Sequence, residues 1–262
     1  MESVVFSLGT DEVAMSLILV GQEEAAKRHV ANVLGKIDAS EVKGRLLAAF
    51  DSLLARGLVS WSEEKQKAVL DGSLEALVET IASPDVSVVT TVSKGEGIKI
   101  MAFHFGGRAS TGVRDRGLLG QELRPLDGPE AASTSIEELM DWPESLDGKR
   151  YTFSMTPEQL ENATKLSVQD QGVLEDYLAG IGLEAESLKA LSSDLINIES
   201  RGTVVRLDYE GDVARVDRGF LTLKSAERCW ILTPTDSGDN PLVEGGVATR
   251  EELRSKLAEL MG

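Results

Sequence analysis

Along the first eighty positions apolar residues recur with the helical period. Val13, Leu17, Ile18 and Val20 supply one stripe, ended by Gly21. Ala26, Val30, Val33 and Leu34 mark a second helix within Gln22 to Leu34. Val42, Leu46, Leu47, Phe50, Leu53 and Leu54 form a stronger third, with Ser40 as its expected cap and Gly57 as its end; Leu58-Val59 begins a short strand or turn. Leu74, Leu77, Val78 and Ile81 stand at i, i+3, i+4 and i+7, and Pro84 stops that helix. The period then falls to two. Val86 to Val92 is rich in β-branched residues, Gly95-Glu96-Gly97 turns the chain, and Ile98 to Phe105 alternates up to Gly106-Gly107. Arg108 to Leu123 reads as further strand, broken at Asp115-Arg116-Gly117. Ser135-Ile136-Glu137-Glu138 then matches a capping box that would open a short helix through Met140.

The second half repeats this order. Thr156, Pro157 and Gln159 compose a capped helix start, and helices are expected over Pro157 to Leu166, Val168 to Ala179 and Ala185 to Leu195. Strands follow at Thr203 to Tyr209, Val213 to Val216, Phe220 to Leu223 and Cys229 to Leu232. Turns are expected at Glu210-Gly211-Asp212 and Asp217-Arg218-Gly219. A Gly/Pro/Asp-rich loop leads to a last capping box, Thr249 to Glu252, whose helix should bury Leu253, Leu257, Leu260 and Met261.

Short words repeat with the order. FSLGTDEV (from Phe6) and FSMTPEQL (from Phe153) each set a Phe-Ser-apolar triplet before a threonine and an acidic first turn, with Thr10 and Thr156 as caps. The pattern predicts an α+β fold of two similar halves in a pseudo-twofold arrangement, residues 1–146 and 147–262. Each half runs helices, antiparallel meander, capped helix. The first carries extra residues around Gly35 to Leu70, and the short linker Pro143 to Gly148 implies tightly joined halves.

Composition narrows the function. The 262 residues are 42% hydrophobic, enough for substantial cores, and the net charge is -17. Up to Trp142 there are 14 basic and 22 acidic residues, and from Pro143 onward 13 and 22, so neither half is a basic module. That acidity opposes binding to nucleic acid and to anionic membranes. The longest apolar run, Leu17 to Val20, is far too short to span a bilayer, and no signal-peptide pattern opens the sequence. A single cysteine excludes an internal disulfide framework, and the expected location is cytoplasmic.

Candidate chemistry is sparse. His29 and His104 accompany no nucleophile motif, Cys229 sits beside Trp230 in a strand, and the three are too scattered for a zinc site. Gly95-Glu96-Gly97, Gly106-Gly107 and Gly245-Gly246 lack the lysine and helix of a phosphate loop. The acid pairs Glu23-Glu24, Glu63-Glu64, Glu137-Glu138 and Glu251-Glu252 suit helix dipoles and solvation. FDSLLARGLVS (from Phe50) is similar to the segment before a wing in winged-helix proteins, but no basic recognition helix follows. No catalytic residue, metal or cofactor is expected.

One family resemblance spans nearly the whole length as an order of elements. It is carried by LLARGLVS at Leu53 to Ser60, LEALVETIASPDVSVVTTV at Leu74 to Val92, Gly219 to Leu223 through Ile231 to Pro234, and the ending ATREELRSKLAELM. In these stretches the chain resembles the EspG family, cytosolic chaperones of ESX (type VII) secretion. The resemblance implies a quasi-twofold α+β fold that binds secreted PE–PPE pairs through sheet and helical-bundle surfaces, without catalysis. Its long cargo loop in the first half has no counterpart at Gly106-Gly107. The expectation is a non-enzymatic binding protein whose partner is another polypeptide, with Phe103, Phe105, Phe220 and Trp230 as candidate contact residues. The alternative is a duplicated small-molecule-binding or regulatory module.

Overall fold

A computed structural model of the chain describes residues 4–35, 38–107, 109–143, 149–211, 213–235 and 241–262. In order these form β1 (Phe6–Leu8), α1 (Thr10–Leu19), α2 (Glu23–Leu34), α3 (Ala39–Ala55), β2 (Val59–Ser62), β3 (Lys67–Leu70), α4 (Gly72–Ala82), β4 (Val86–Lys94), β5 (Gly97–Gly106), β6 (Ala109–Asp115), β7 (Gln121–Pro125) and α5 (Pro129–Met140). Then come β8 (Thr152–Met155), α6 (Pro157–Leu166), α7 (Gln171–Gly180), α8 (Ala185–Ile196), β9 (Ile198–Glu210), β10 (Val213–Ser225), β11 (Cys229–Thr235), β12 (Leu242–Val247) and α9 (Arg250–Met261). The α+β class expected from the pattern is the one observed. The chain divides into two compact units that interleave: Met1–Ser87, Met101–Gly128 and Asp208–Arg215 in one, Val88–Ile100, Pro129–Leu207 and Val216–Gly262 in the other.

In the first unit the strands lie in the order β1-β7-β6-β5, with antiparallel pairing throughout. Phe6, Leu8, Val113 and Leu123 of this sheet join Val13, Leu17, Leu53, Leu74, Leu77 and Val78 of the helices in one core. The acids of the first turn of α1 do more than compensate the dipole. Asp11 pairs with Arg45 at 3.0 Å, and Glu12 accepts from Arg56 at 2.9 Å and from Ser52 at 2.7 Å, so α3 is fastened to the start of α1. Glu12 also accepts the Gly9 N–H at 2.8 Å. The helix therefore begins one residue earlier than the expected Thr10 cap, with Gly9 as its flanking residue. The hairpin β2–β3 follows α3.

In the second unit the order is β4-β9-β10-β11-β12-β8. Phe153, Met155, Trp230, Leu232, Val243 and Val247 face Ala163, Leu174, Leu178, Leu188, Leu191 and Leu195 from α6, α7 and α8. The Thr156-Pro157-Gln159 start of α6 and the Thr249–Glu252 box of α9 form as expected, with both reciprocal hydrogen bonds in each. Leu253, Leu257 and Leu260 are buried, while Met261 is half-buried.

Four further local expectations are corrected. Ser135 caps nothing: α5 starts six residues earlier, at Pro129, and the Ser135 hydroxyl donates 2.7 Å to the Ala131 carbonyl in mid-helix. Ser40 lies inside α3, which Asp38 flanks. Asp217-Arg218-Gly219 is no turn, because β10 runs through it; a Cβ at Gly219 would stand 2.6 Å from the Val204 carbonyl, so that glycine serves close strand packing. Finally, the loop before α9 holds a sixth strand of this unit, β12, whose Gly245 and Gly246 masked its period in the sequence. Residues 144–148 of the expected linker lie outside the described residues.

Glycine is required where strand β7 begins. Gly120 has φ +93°, and a Cβ there would run into the Leu8 carbonyl; Gly117, at φ +61°, faces open space. Gly120→Ala should destabilise the protein by roughly 2 kcal/mol or more, Gly117→Ala by about 1 kcal/mol. Paired urea denaturation curves check the ranking.

Candidate functional site

In the second unit, burial alternates along the long strands. Ser200, Gly202 and Val204 of β9 are buried, as are Phe220 and Thr222 of β10; Thr203, Val205, Leu207, Leu221 and Leu223 are half-buried. The buried set faces the pair α5–α9. A Cβ on Gly202 would stand 3.1 Å from the Met140 side chain. Arg206 donates to the Leu260 carbonyl at 2.9 Å, and Arg218 to that of Glu259 at 3.1 Å. Strand geometry therefore sends the other set to the opposite face. That face continues the sheet surface on which α6–α8 sit: Leu221 pairs with Leu232 and Leu223 with Trp230, and both leucines pack partly against the helical core.

A sheet face of threonine, valine and leucine, partly open beside a helical layer, leaves apolar area that contact with another surface would remove from water. Next to it α8 is held rigidly. Asp194 is 3% exposed; it accepts from Trp230 Nε1 at 2.7 Å and from Arg228 Nε at 2.6 Å, while one oxygen takes the Ser225 hydroxyl at 2.6 Å. Further apolar groups of this unit stand in solvent: Ile98 on β5, 68% exposed, and Val168 between α6 and α7, 81% exposed.

The sealed face depends on charge. Glu137 of α5 is buried and accepts from Arg250 at 2.7 Å and Arg254 at 2.8 Å, both on α9. Burial alone would raise its carboxyl, but hydrogen bonds and charge from Arg254 and Arg250 outweigh that and hold it below the usual range. Lys224 of β10 adds a tie to Asp141 at the end of α5, 2.8 Å away.

Three of the four expected contact residues are corrected. Phe103 and Trp230 are fully buried and Phe220 nearly so, because each occupies an inward strand position; Phe105 alone is half-buried. The aliphatics Val205, Leu207, Leu221 and Leu223 are half-buried, and their alternation with Val204, Phe220 and Thr222 divides the strands into two sets without telling which is covered. Cys229 is buried in β11, and burial pushes its thiol up to about 12, so it is not a thiolate at neutral pH. His104 hydrogen-bonds Ser87 at 2.7 Å, and burial pushes it down to about 4. His29 is lowered by burial, against a hydrogen bond to the Thr10 backbone. Among the described residues no cluster of three or more His, Cys, Asp or Glu could hold a metal, and no helix is long and apolar enough to cross a membrane.

This architecture has a solved counterpart. The chain is similar in structure to the type VII secretion system chaperone EspG5 of Mycobacterium tuberculosis, solved in complex with a PE25–PPE41 dimer. The TM-score is 0.69 at 11% identity, over 98% of this chain and 95% of that one. That likeness is one of fold. No protein-family model matches the chain, and no curated protein matches it.

Because the Glu137 carboxyl is depressed in the folded state, its contribution is present above the unfolded value and lost as pH falls through the lowered one. Glu137→Gln should cost roughly 2–3 kcal/mol at pH 7, reduced by the exposure of Arg254, and the gap to wild type should be smaller at about pH 3. Urea titrations at both pH values check this.

Proposed function

We propose that the chain is a non-enzymatic binding protein of the EspG kind, acting in the cytoplasm, which holds another polypeptide against the open face of β9 and β10 beside α6–α8. One observation carries this: half-buried Val205, Leu207, Leu221 and Leu223 on a sheet face whose opposite side is sealed by α5 and α9. The structural neighbour, a chaperone solved with a secretion-related protein dimer, supports a partner of type VII secretion cargo class. Gly106 of β5 pairs with Ala109 of β6, three positions on in the sequence, which favours a cargo that needs no long loop for its capture.

We infer also that residues 1–146 and 147–262 descend from one duplicated unit. The supporting correspondence is one of order and register. β1-β7-β6-β5 in one unit parallels β8-β12-β11-β10 in the other. Ser7 pairs with Glu122 as Ser154 pairs with Glu244, each serine following a buried phenylalanine. The additional α3, β2 and β3 fall within the expected insertion.

The alternative, a small-molecule module, draws support from a groove of about 760 Å³ walled by Ala14, Ile18, Ala26, Val30, Val42 and Leu46. Thermal-shift screening with apolar metabolites separates the two: a large stabilisation without any protein partner favours the module.

Leu221→Asp and Val205→Asp should each weaken partner capture at least ~10-fold while circular dichroism stays native, because a carboxylate on this face must be desolvated on binding. Val168→Asp, off the sheet, serves as the comparison. Pull-down from native lysate with mass spectrometry reads the outcome. Recovery of no stoichiometric partner, or unchanged recovery by the two sheet variants, sinks the proposal.

A further inference from the structure

On the other side of the same sheet, β8 ends the strand order of the second unit, so its outer edge is unpaired by any described strand. Edge strands of this kind are normally blunted by proline, charge or a bulge. Thr152–Met155 has none of these, and its flanking cation Arg150 is already engaged by Glu252. The strand is also held in shape. Phe153 and Met155 point into the helical core, the Phe153 ring lies 5.6 Å from Trp230, and Gly245 leaves it the room that a Cβ would take. A template ordered in advance costs less to bind.

A recess of about 980 Å³ runs across this edge, from Ser255 and Lys256 of α9 to Gly182–Glu184 between α7 and α8. Its floor is small and polar: Thr152 opposite Gly246, then Ser154, Glu244 and Thr233 in register across three strands. Glu244 is exposed in the middle of that row, and Glu184 stands at the rim; among the described residues neither has an ion-pair partner. The recess thus offers main-chain donors and acceptors along one side and uncompensated negative charge at its centre.

We propose that this recess binds an extended polypeptide segment that pairs with β8 as an added strand and lays a lysine or arginine over Glu244. Main-chain pairing supplies the affinity, and Glu244, with Glu184 behind it, selects the basic residue. The alternate side chains of the segment must be small or β-branched to lie beside Thr152. This surface is on the opposite sheet face from the one proposed for cargo, so either can fail while the other stands.

The test uses the full chain and two fluorescein-labelled, end-blocked heptapeptides, Thr-Val-Thr-Arg-Thr-Val-Thr and the same sequence with Glu at its centre. By anisotropy at low salt the Arg peptide should bind at least ~10-fold tighter, with the margin shrinking as salt rises. Glu244→Lys, at an exposed position that leaves the fold intact, should reverse the preference. Hydrogen exchange should slow at Thr152–Met155 on binding. Equal affinities, no binding up to ~1 mM, an unaffected Glu244→Lys variant, or protection confined to other segments would each overturn the proposal. So would a dimer in sedimentation that Ser154→Pro abolishes, since a second copy would then occupy the edge.

Discussion

A buried carboxylate must be neutralised or given up, and Glu137 is neutralised by two arginines of the last helix. That requirement brings α9 onto α5 although more than a hundred residues separate them in the chain. Once paired, the two helices form a lid for one face of β9 and β10. Met140 covers Gly202, and the last carbonyls of α9 are capped by Arg206 and Arg218. A sheet so covered on one side, with α6–α8 on its outer strands, keeps a central strip of its second face half open. The open strip follows from where the charges place the helices.

Much of this was legible in the sequence, and for identifiable reasons. Capping boxes are local, so Thr156-Pro157-Gln159 and Thr249–Glu252 could be read directly. Leu74, Leu77 and Val78 show the helical period because one side of α4 is buried and the other is wet. The failures were cases where a local signal was real but outvoted. Ser135 has a glutamate three residues on, yet Pro129 supplies the better start and the serine is absorbed in mid-helix. Asp217-Arg218-Gly219 has turn composition, but Arg218 reaches the end of α9 and Gly219 admits the neighbouring strand. No window of a few residues contains those long-range partners.

The candidate surface was harder still. Aromatic residues in strands draw attention as contacts, yet Phe103, Phe220 and Trp230 are where they are because large rings bury the most area per residue. Alternation in β9 and β10 divides the residues into two sets but does not say which set is covered, since Val204 and Phe220 are as apolar as Val205 and Leu221. That choice is made by Glu137, Arg250 and Arg254, on two helices remote from these strands in sequence. The pairing of a serine with a glutamate beside each terminal triplet was equally out of reach, because register is a property of two strands.

An open aliphatic strip and an unguarded edge strand are both invitations to self-association, and a chain carrying them needs a countermeasure. The net charge of -17 provides one: copies of the protein repel at distances where short-range apolar attraction has not begun. The two carboxylates at the β8 recess, without an ion-pair partner among the described residues, would act more selectively, since a like edge bearing its own Glu244 would bring negative charge against negative charge, while a basic segment would relieve it. The acidity that argued against nucleic acid thereby acquires a positive role. It lets an open strip and an unpaired edge remain exposed without binding each other.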